Sequence, residues 1–303
     1  MHPGRASLIG LALSCTLAAC STGEPMAAAV APPAPTGIEA PAPDSMRWLY
    51  GSGEAAGASI QAFRALADYA LAAASDWPEQ SVVMGLPDAE GGTGSATCRD
   101  ADGSAKPPAV VFDVDETLIQ NLGFEYWDAT HTGGYDPKVW DEWERTGANY
   151  VAPVPGAVTT LKRLREAGIT PVFNTNRSSA NAEGTAAAIA AAGLGDAVHG
   201  ETLFLKGDDA TGSRKDGRRA TIAARYCVLA LAGDNLGDFA DIFNAGDRAP
   251  LDRREIASRG SYARLWGNGW FVLPNPVYGA SIEGTVGAVF PPEYRWRPTG
   301  ESQ

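Results

Sequence analysis

The sequence predicts an α/β fold: a doubly wound parallel sheet carrying a small helical cap. Three observations lead there. Short apolar runs, each long enough for one strand, recur between stretches of helical period. Strands separated by helices argue for a parallel sheet covered on both faces. Two of the apolar runs end in clustered Asp residues, where sheets of this kind present their ligand sites.

The elements follow in chain order. Arg5 gives a short charged start, and residues 6–19 are largely apolar but too short for an ordinary transmembrane helix. Residues 1–19 are therefore expected to be a signal peptide. They lead into Leu17-Ala18-Ala19-Cys20, which resembles a bacterial lipobox. In such signals the cysteine is acylated, so Cys20 is the expected lipidation site; the alternative is plain cleavage near Ala19 with Cys20 a free thiol. Ser21, where Asp is absent, resembles the signal for outer-membrane sorting. The expectation is an exported outer-membrane lipoprotein facing the periplasm or the cell surface. Residues 20–45 are rich in Ala and Pro and read as an extended tether. The globular domain is expected over 46–298, with cap elements from about 46–80, 120–150 and the C-terminal segment.

Within that domain, Gly53 to Ser75 carries Ile60, Phe63, Leu66, Ala67, Ala70 and Leu71 at helical spacing. Residues 85–108, with many Gly, Asp and Pro, read as a loop. Ala109 to Phe112 is a first strand. Val158, Leu161 and Leu164 mark a helix over 156–167, which Gly168 stops. Ile169 to Asn174 is a second strand, provided Pro171 lies near its start. A helix over 182–192 ends at Gly193, and Thr202 to Leu205 is a third strand. Lys215 to Tyr226 is helical, Cys227 to Ala232 is a fourth strand and Trp270 to Leu273 a fifth.

Bulk properties narrow the function. The chain has 303 residues, 45% of them hydrophobic, and a net charge of -12 with no basic stripe. A nucleic-acid polymer is therefore not an expected partner. Three His and no metal-type Cys/His spacing leave out a histidine-based metal site. If Cys20 carries lipid, Cys98 and Cys227 remain in an oxidising compartment. A disulfide between them is allowed; a buried Cys227 thiol is the alternative.

The chemistry-bearing signal is Val110-Val111-Phe112-Asp113-Val114-Asp115-Glu116-Thr117-Leu118. It is a strand ending in Asp-x-Asp and then Thr. The fourth strand ends similarly, in Gly233-Asp234-Asn235-Leu236-Gly237-Asp238. Four carboxylates at neighbouring strand ends repel one another by about 4 kcal/mol per pair at roughly 4 Å. A hard divalent cation removes that repulsion, and an all-oxygen shell suits Mg²⁺. The second strand ends in Thr175-Asn176-Arg177, whose hydroxyl and backbone N–H groups could hold a phosphoryl oxygen. Lys215, opening the next helix but one, could bring a positive charge to the same point; Lys206, Arg214 and Arg218 are its rivals.

Asp113-Val114-Asp115-Glu116-Thr117, Thr175-Asn176-Arg177, Lys215 and Gly233 to Asp238 resemble, in order, the four motifs of the haloacid dehalogenase-like (HAD-like, Rossmannoid) superfamily. More narrowly the chain is similar to the class C acid phosphatases, bacterial lipoproteins that often act as 5′-nucleotidases. Ser52-Gly53-Glu54-Ala55, Trp140-Asp141-Glu142-Trp143, Val154-Pro155-Gly156-Ala157-Val158 and Pro274-Asn275-Pro276-Val277-Tyr278-Gly279 add to the resemblance, which spans about residues 46–282.

The resemblance implies a Mg²⁺-dependent phosphomonoesterase acting on small molecules. Asp113 would be the nucleophile and Asp115 the general acid and base. Asp113, the backbone carbonyl of Asp115, and Asp234 would hold the cation, with Asp238 in support. Thr175 and Lys215 would stabilise the phosphoryl group; Lys215 is favoured because its spacing to Arg218 resembles the family pattern. Asp115 also favours phosphoryl transfer over dehalogenation, since a departing halide needs no proton. Trp140 and Tyr278 fall where the nucleotidases grip a nucleoside base, although ordinary packing is the plainer reading of each. Asn176 either positions substrate or closes a turn. One departure touches the expected substrate pocket: where the family usually has Asp before Asn, this chain has Gln120 before Asn121. Two other functions remain open, a broad sugar-phosphate or small-molecule phosphatase and a ligand-binding (for example haem-binding) lipoprotein with a vestigial site.

Overall fold

The computed structural model describes residues 40–84, 96–246 and 248–299, with the backbone of 86–87 and 93–94. The signal segment, Cys20 and all but the end of the tether lie outside the described residues. Among the described residues no helix is long and apolar enough to cross a membrane.

Two helices open the domain, α1 (Asp44–Gly51) and α2 (Gly53–Asp76). Ser52 separates them and caps α2, its Oγ accepting the Ala55 N–H at 3.1 Å. A short antiparallel pair, β1 (Leu86–Pro87) and β2 (Thr93–Gly94), lies in the segment read from sequence as a loop.

The central sheet has five parallel strands, β3 (Pro108–Phe112), β6 (Thr170–Ser178), β7 (Leu203–Lys206), β8 (Cys227–Gly233) and β9 (Trp270–Val272), in the spatial order β7-β6-β3-β8-β9. All five expected strands are present. Pro171 is the second residue of β6, opposite Val110, near the strand start as its missing N–H requires. The winding reverses between β3 and β8, and such a reversal opens a crevice at the strand ends.

Alternation along β3 divides the core. Val110 and Phe112 point to one face, packing with Phe63, Leu66, Leu161, Leu164 and Ile189. These come from α2, α5 (Ala157–Glu166) and α6 (Ala182–Ala191). Ala109 and Val111 point to the other, with Ile222 and Ala223 of α7 (Asp216–Arg225), Phe239, Phe243 and Trp270. Helices therefore cover both faces, as the apolar runs foretold. Cys98 and Cys227 are joined as a disulfide that ties the loop before β3 to the start of β8.

The insert after β3 forms the cap. β4 (Ile119–Gln120) pairs with β5 (Ala152–Pro153) at its base. Between them lie α3 (Leu122–Thr130), α4 (Pro137–Thr146) and a 3₁₀ turn, Gly147–Tyr150. Asp136 caps α4, with Pro137 in the first turn, where no N–H partner is needed. The sequence reading assigned the first long helix to the cap. The structure corrects this: α2 packs on α5, β8 and β9 beneath the sheet, because Phe63, Leu66 and Ala70 supply its core face. The N-terminal contribution near the strand ends comes from α1, through Tyr50. Periodicity did not disclose α1, or the helices α8 (Pro250–Ser258), α9 (Gly260–Ala263) and α10 (Val286–Val289), which are short and largely solvated.

Candidate active site

Asp113 follows β3 directly and continues its pairing, its N–H donating to Ala232 O at 2.9 Å. The chain then turns sharply: Leu118 and Ile119 both donate back to Val114 O, and Glu116 sits at φ 53. A non-glycine residue at that φ is held there by its surroundings. Asp234 follows β8. Asn235 and Asp238 close the next turn reciprocally, Asn235 Oδ1 accepting from Gly237 N–H at 3.0 Å and Asp238 Oδ2 from Asn235 N–H at 2.9 Å. A Cβ on Gly233 would lie 2.4 Å from Asp238 Cβ, so only glycine admits the approach. Both loops meet at the β3/β8 reversal.

One carboxylate oxygen from each of Asp113, Asp234 and Asp238 falls within 4.8 Å of the others. Lys215, the residue just before α7, donates from Nζ to Asp113 Oδ1 at 2.5 Å and to Asp238 Oδ1 at 2.7 Å. Thr117 Oγ1 lies 3.3 Å from Asp113 Oδ2 and 3.1 Å from Asp234 Oδ1. Asn275 Nδ2 donates to Asp234 Oδ2 at 2.6 Å. Burial, then repulsion from Asp238, raises Asp234 to about 7. Burial also raises Asp113, with Lys215 opposing and Asp238, Asp234 and Asp115 adding to the rise. For Lys215 burial is outweighed by Asp113 and Asp238, which raise it and keep the ammonium charged.

Asp115 stands in a different setting. Arg177 Nε donates to its two oxygens at 2.9 and 3.2 Å, Asn121 Nδ2 donates at 2.9 Å and Thr175 Oγ1 at 3.2 Å. Burial alone would push Asp115 up; the Arg177 guanidinium and these hydrogen bonds outweigh it and hold the carboxyl below its usual range.

The cap and the chain ends are fastened to this loop. Glu116 accepts from Tyr278 OH, from Tyr50 OH at 3.2 Å and from the Asn121 backbone N–H at 2.9 Å. Burial, then Asp115, raises Glu116 to about 7. Trp143 Nε1 donates to Asn121 Oδ1 at 3.0 Å. Trp140 Nε1 donates to Glu144 Oε1 at 2.7 Å, its ring meets Phe124 edge-on, and the Arg177 guanidinium lies 5.8 Å from its centroid.

Asp113, Asp115, Thr175, Lys215, Asp234 and Asp238 thus converge at one rim of the sheet, with Tyr278 beside Glu116 and Trp140 beside Arg177. Asn176 is exposed and its amide is engaged within the chain: Nδ2 donates to Ser213 O at 3.0 Å and Oδ1 accepts from Arg218 at 2.6 Å. Glu116, Asn121, Arg177, Asn275 and Tyr50 were not singled out from sequence. Glu116, Arg177 and Asn275 lie inside quoted motifs, and an unassigned polar residue within a motif was the available signal. Tyr50 had none, since its partner is 66 residues away.

A doubly wound sheet with carboxylates at its reversal point and a helical cap over them defines a hydrolase of the HAD-like fold. The family model of the HAD superfamily, subfamily IIIB (Acid phosphatase), matches residues 93–281, and the chain belongs to that family. It is a phosphomonoester hydrolase. The fold is similar to that of the class C acid phosphatase from Bacillus anthracis, at 22% identity over 78% of this chain and 84% of that one, with TM-score 0.60. The same enzyme with tungstate bound matches at TM-score 0.59, with the same identity and coverage.

Proposed function

We propose that this acid phosphatase works in two displacements through a phosphorylated Asp113, uses Mg²⁺, and takes nucleoside 5′-monophosphates as its leading substrates. The observation that carries the reading is the convergence of Asp113, Asp234 and Asp238 within 4.8 Å beside the Lys215 ammonium.

The donor set fits the cation. All the donors are oxygens, and burial, with neighbouring carboxylates adding to it, raises both Asp113 and Asp234, a cost that a bound cation would relieve. Asp113, Asp234 and the Asp115 carbonyl would hold it, with Asp238 tied to Lys215 in support. When bound, Mg²⁺ supplies positive charge against the phosphoryl oxygens and the ionised carboxylates.

In the first step a carboxylate oxygen of Asp113 bonds to phosphorus and the ester P–O bond breaks. Asp115 passes its proton to the departing alcohol oxygen. In the second, Asp115 takes a proton from water as the water oxygen attacks phosphorus and the Asp113–phosphate bond breaks. Arg177, Asn121 and Thr175 aim the Asp115 carboxylate. Thr175 and Lys215 hold the phosphoryl oxygens. Asp115 is held low, so its acid form is populated only in acidic medium. Trp140 and Tyr278 would flank the base of a nucleotide, where stacking contributes about 1–3 kcal/mol. Asn176 would act through Ser213 and Arg218, steadying the loop before Lys215.

The domain arrangement is a signal peptide over 1–19, a tether over 20–45 and the catalytic domain over 46–298. Acylation of Cys20 would hold the enzyme at the outer membrane; the Leu17-Ala18-Ala19-Cys20 run supports this reading.

Phosphate release from p-nitrophenyl phosphate, measured with Mg²⁺ and with EDTA, tests the core of the proposal. Activity is expected with Mg²⁺, loss with EDTA, and loss again in Asp113→Asn. An Asp113→Asn protein with full activity would remove the nucleophile. For substrate class, AMP is expected to exceed glucose 6-phosphate, and Tyr278→Ala to narrow the gap; equal rates in both proteins reject base recognition.

A further inference from the structure

Seven carboxylates lie buried or nearly so around the strand ends and the cap, and six have partners. Asp113 and Asp238 share Lys215, Asp115 has Arg177 and Asn121, Glu116 has two tyrosines and Asn121, and Asp234 has Thr117 and Asn275. Glu144 accepts from Trp140, Ser178 and Asn181. The seventh is Glu125, on α3. The residue is 6% exposed, and its carboxylate, whose oxygens are not fully enclosed, accepts no hydrogen bond and joins no ion pair among the described residues. A nearly buried polar group that lacks a partner calls for an explanation.

Its position supplies one. Glu125 lies four residues after Asn121, its N–H donating to the Asn121 carbonyl, so both side chains share one face of α3. Asn121 reaches Asp115 on that face, and Glu125 is one turn further into the cap. The charged groups near Glu125 are Glu116, Asp128 and Asp115, all acidic; the Tyr50 phenol lies in its field as well. Burial, then those carboxylates, raises Glu125 to about 8. Arg177 answers Asp115, but among the described residues no cation pairs with Glu125. Since Asp115 serves the departing alcohol oxygen, the space beyond it belongs to the leaving group.

We propose that Glu125 forms a leaving-group subsite for an ammonium or other N–H donor, so that the enzyme favours phosphomonoesters whose alcohol part carries an amine. The inference rests on the hydrolytic reading above and adds a substrate class to it. The incoming donor gives the Glu125 carboxylate the hydrogen bond and counter-charge that the fold withholds, while neighbouring acids make the subsite repel anionic leaving groups.

The test is a series of 2-aminoethyl, 4-aminobutyl and 6-aminohexyl phosphates, each against the plain alkyl phosphate of equal chain length. The ratio of kcat/KM within each pair is the readout, so changes in total activity cancel. At one chain length the wild-type ratio is expected to reach roughly tenfold or more, as a hydrogen bond to a charged group allows. In Glu125→Gln, which presents an amide N–H to the amine, the ratio is expected to fall to about one or below. A merely structural Glu125 would leave the ratio unchanged. The melting temperature of Glu125→Gln is expected to equal or exceed wild type, because an unpaired buried acid has been removed. Wild-type ratios near one at every length overturn the proposal, as does a preference that survives in the variant. Calorimetric binding of 4-aminobutylphosphonate against butylphosphonate reads the subsite without turnover, and equal affinities would likewise overturn it. If no ester releases phosphate, the hydrolytic reading fails with it; if esters are hydrolysed without amine preference, only the subsite fails.

Discussion

The Lys215 ammonium sits between two carboxylates, 2.5 Å from Asp113 Oδ1 and 2.7 Å from Asp238 Oδ1, with all three side chains almost wholly buried. It is the counter-charge that Asp113 and Asp238 share, as Arg177 is for Asp115. Removing one partner of such a group strands the others, at about 3–5 kcal/mol. Lys215→Met is therefore expected to melt well below wild type in EDTA. Mg²⁺ is expected to raise the melting temperature more in the variant than in wild type. Equal responses to Mg²⁺ would mean that ammonium and cation do not answer the same charge.

Stability without a divalent cation should fall as pH rises. Asp234 and Glu116 are raised to about 7 and Glu125 to about 8 by burial and neighbouring carboxylates, whereas carboxyls in the unfolded chain titrate near 4. Between those values the folded protein holds more protons than the unfolded one, so folding is penalised progressively. Their stabilising share is fully present below about pH 4 and lost by about pH 8. Asp115, held low, acts in the opposite sense only at more acidic pH. Melting curves in EDTA should decline over this window, and Mg²⁺ should remove the Asp234 portion. A flat profile in EDTA would contradict these shifts.

Arg177 donates from Nε to both Asp115 oxygens, and its terminal Nη2, which donates to Asn121 Oδ1, lies 2.8 Å from Asp115 Oδ1 as an ion pair. Lysine keeps the charge but cannot make that fork. Arg177→Lys is expected to slow hydrolysis of alkyl phosphates by about 10²-fold, the cost of misplacing a reacting group. Hydrolysis of p-nitrophenyl phosphate, whose leaving group needs little protonation, should slow much less. Equal losses on both substrates would show that Arg177 does not act through Asp115.

Tyr278 reaches Glu116 with its hydroxyl while 40% of the residue stays open to solvent. Tyr278→Phe keeps the ring and frees it. The lost hydrogen bond is expected to lower stability by about 0.5–1.5 kcal/mol. KM for AMP should rise while kcat changes little, as measured by steady-state kinetics; an unchanged KM would separate the Glu116 bond from substrate binding.

The Cys98–Cys227 bond closes a span of 129 residues. Opening it in Cys98→Ser is expected to reduce unfolding free energy by about 2–5 kcal/mol. Denaturant midpoints with and without reductant check this, and an unchanged midpoint would assign the bond no stabilising role.

Much of the sheet was legible because its signals are local. Val110-Val111-Phe112 and Cys227 to Ala232 are continuous apolar runs, the pattern of strands buried on both faces. The Asp residues that follow them belong to turns whose geometry the adjoining strand dictates. The placement of Asp113, Asp115, Thr175 and Asp234 at strand ends could therefore be read along the chain, whereas the choice of Lys215 over Lys206, Arg214 and Arg218 rested on the family resemblance. The weak elements could not: α8, α9 and α10 are short, solvated and without period, and α2 carries an apolar face that suits a sheet layer and a cap alike.

The sequence by itself determined which residues stand at the strand ends, because strand length and the placement of Asp, Thr and Lys are properties of neighbouring residues. Only the tertiary structure decided which of them share charge. Glu116 bonds to Tyr50 and Tyr278, 66 and 162 residues away, and Arg177 reaches across 62 residues to Asp115. The same packing left Glu125 buried and unanswered. Electrostatics depends on distance and burial, and a chain sets neither until its distant segments have packed.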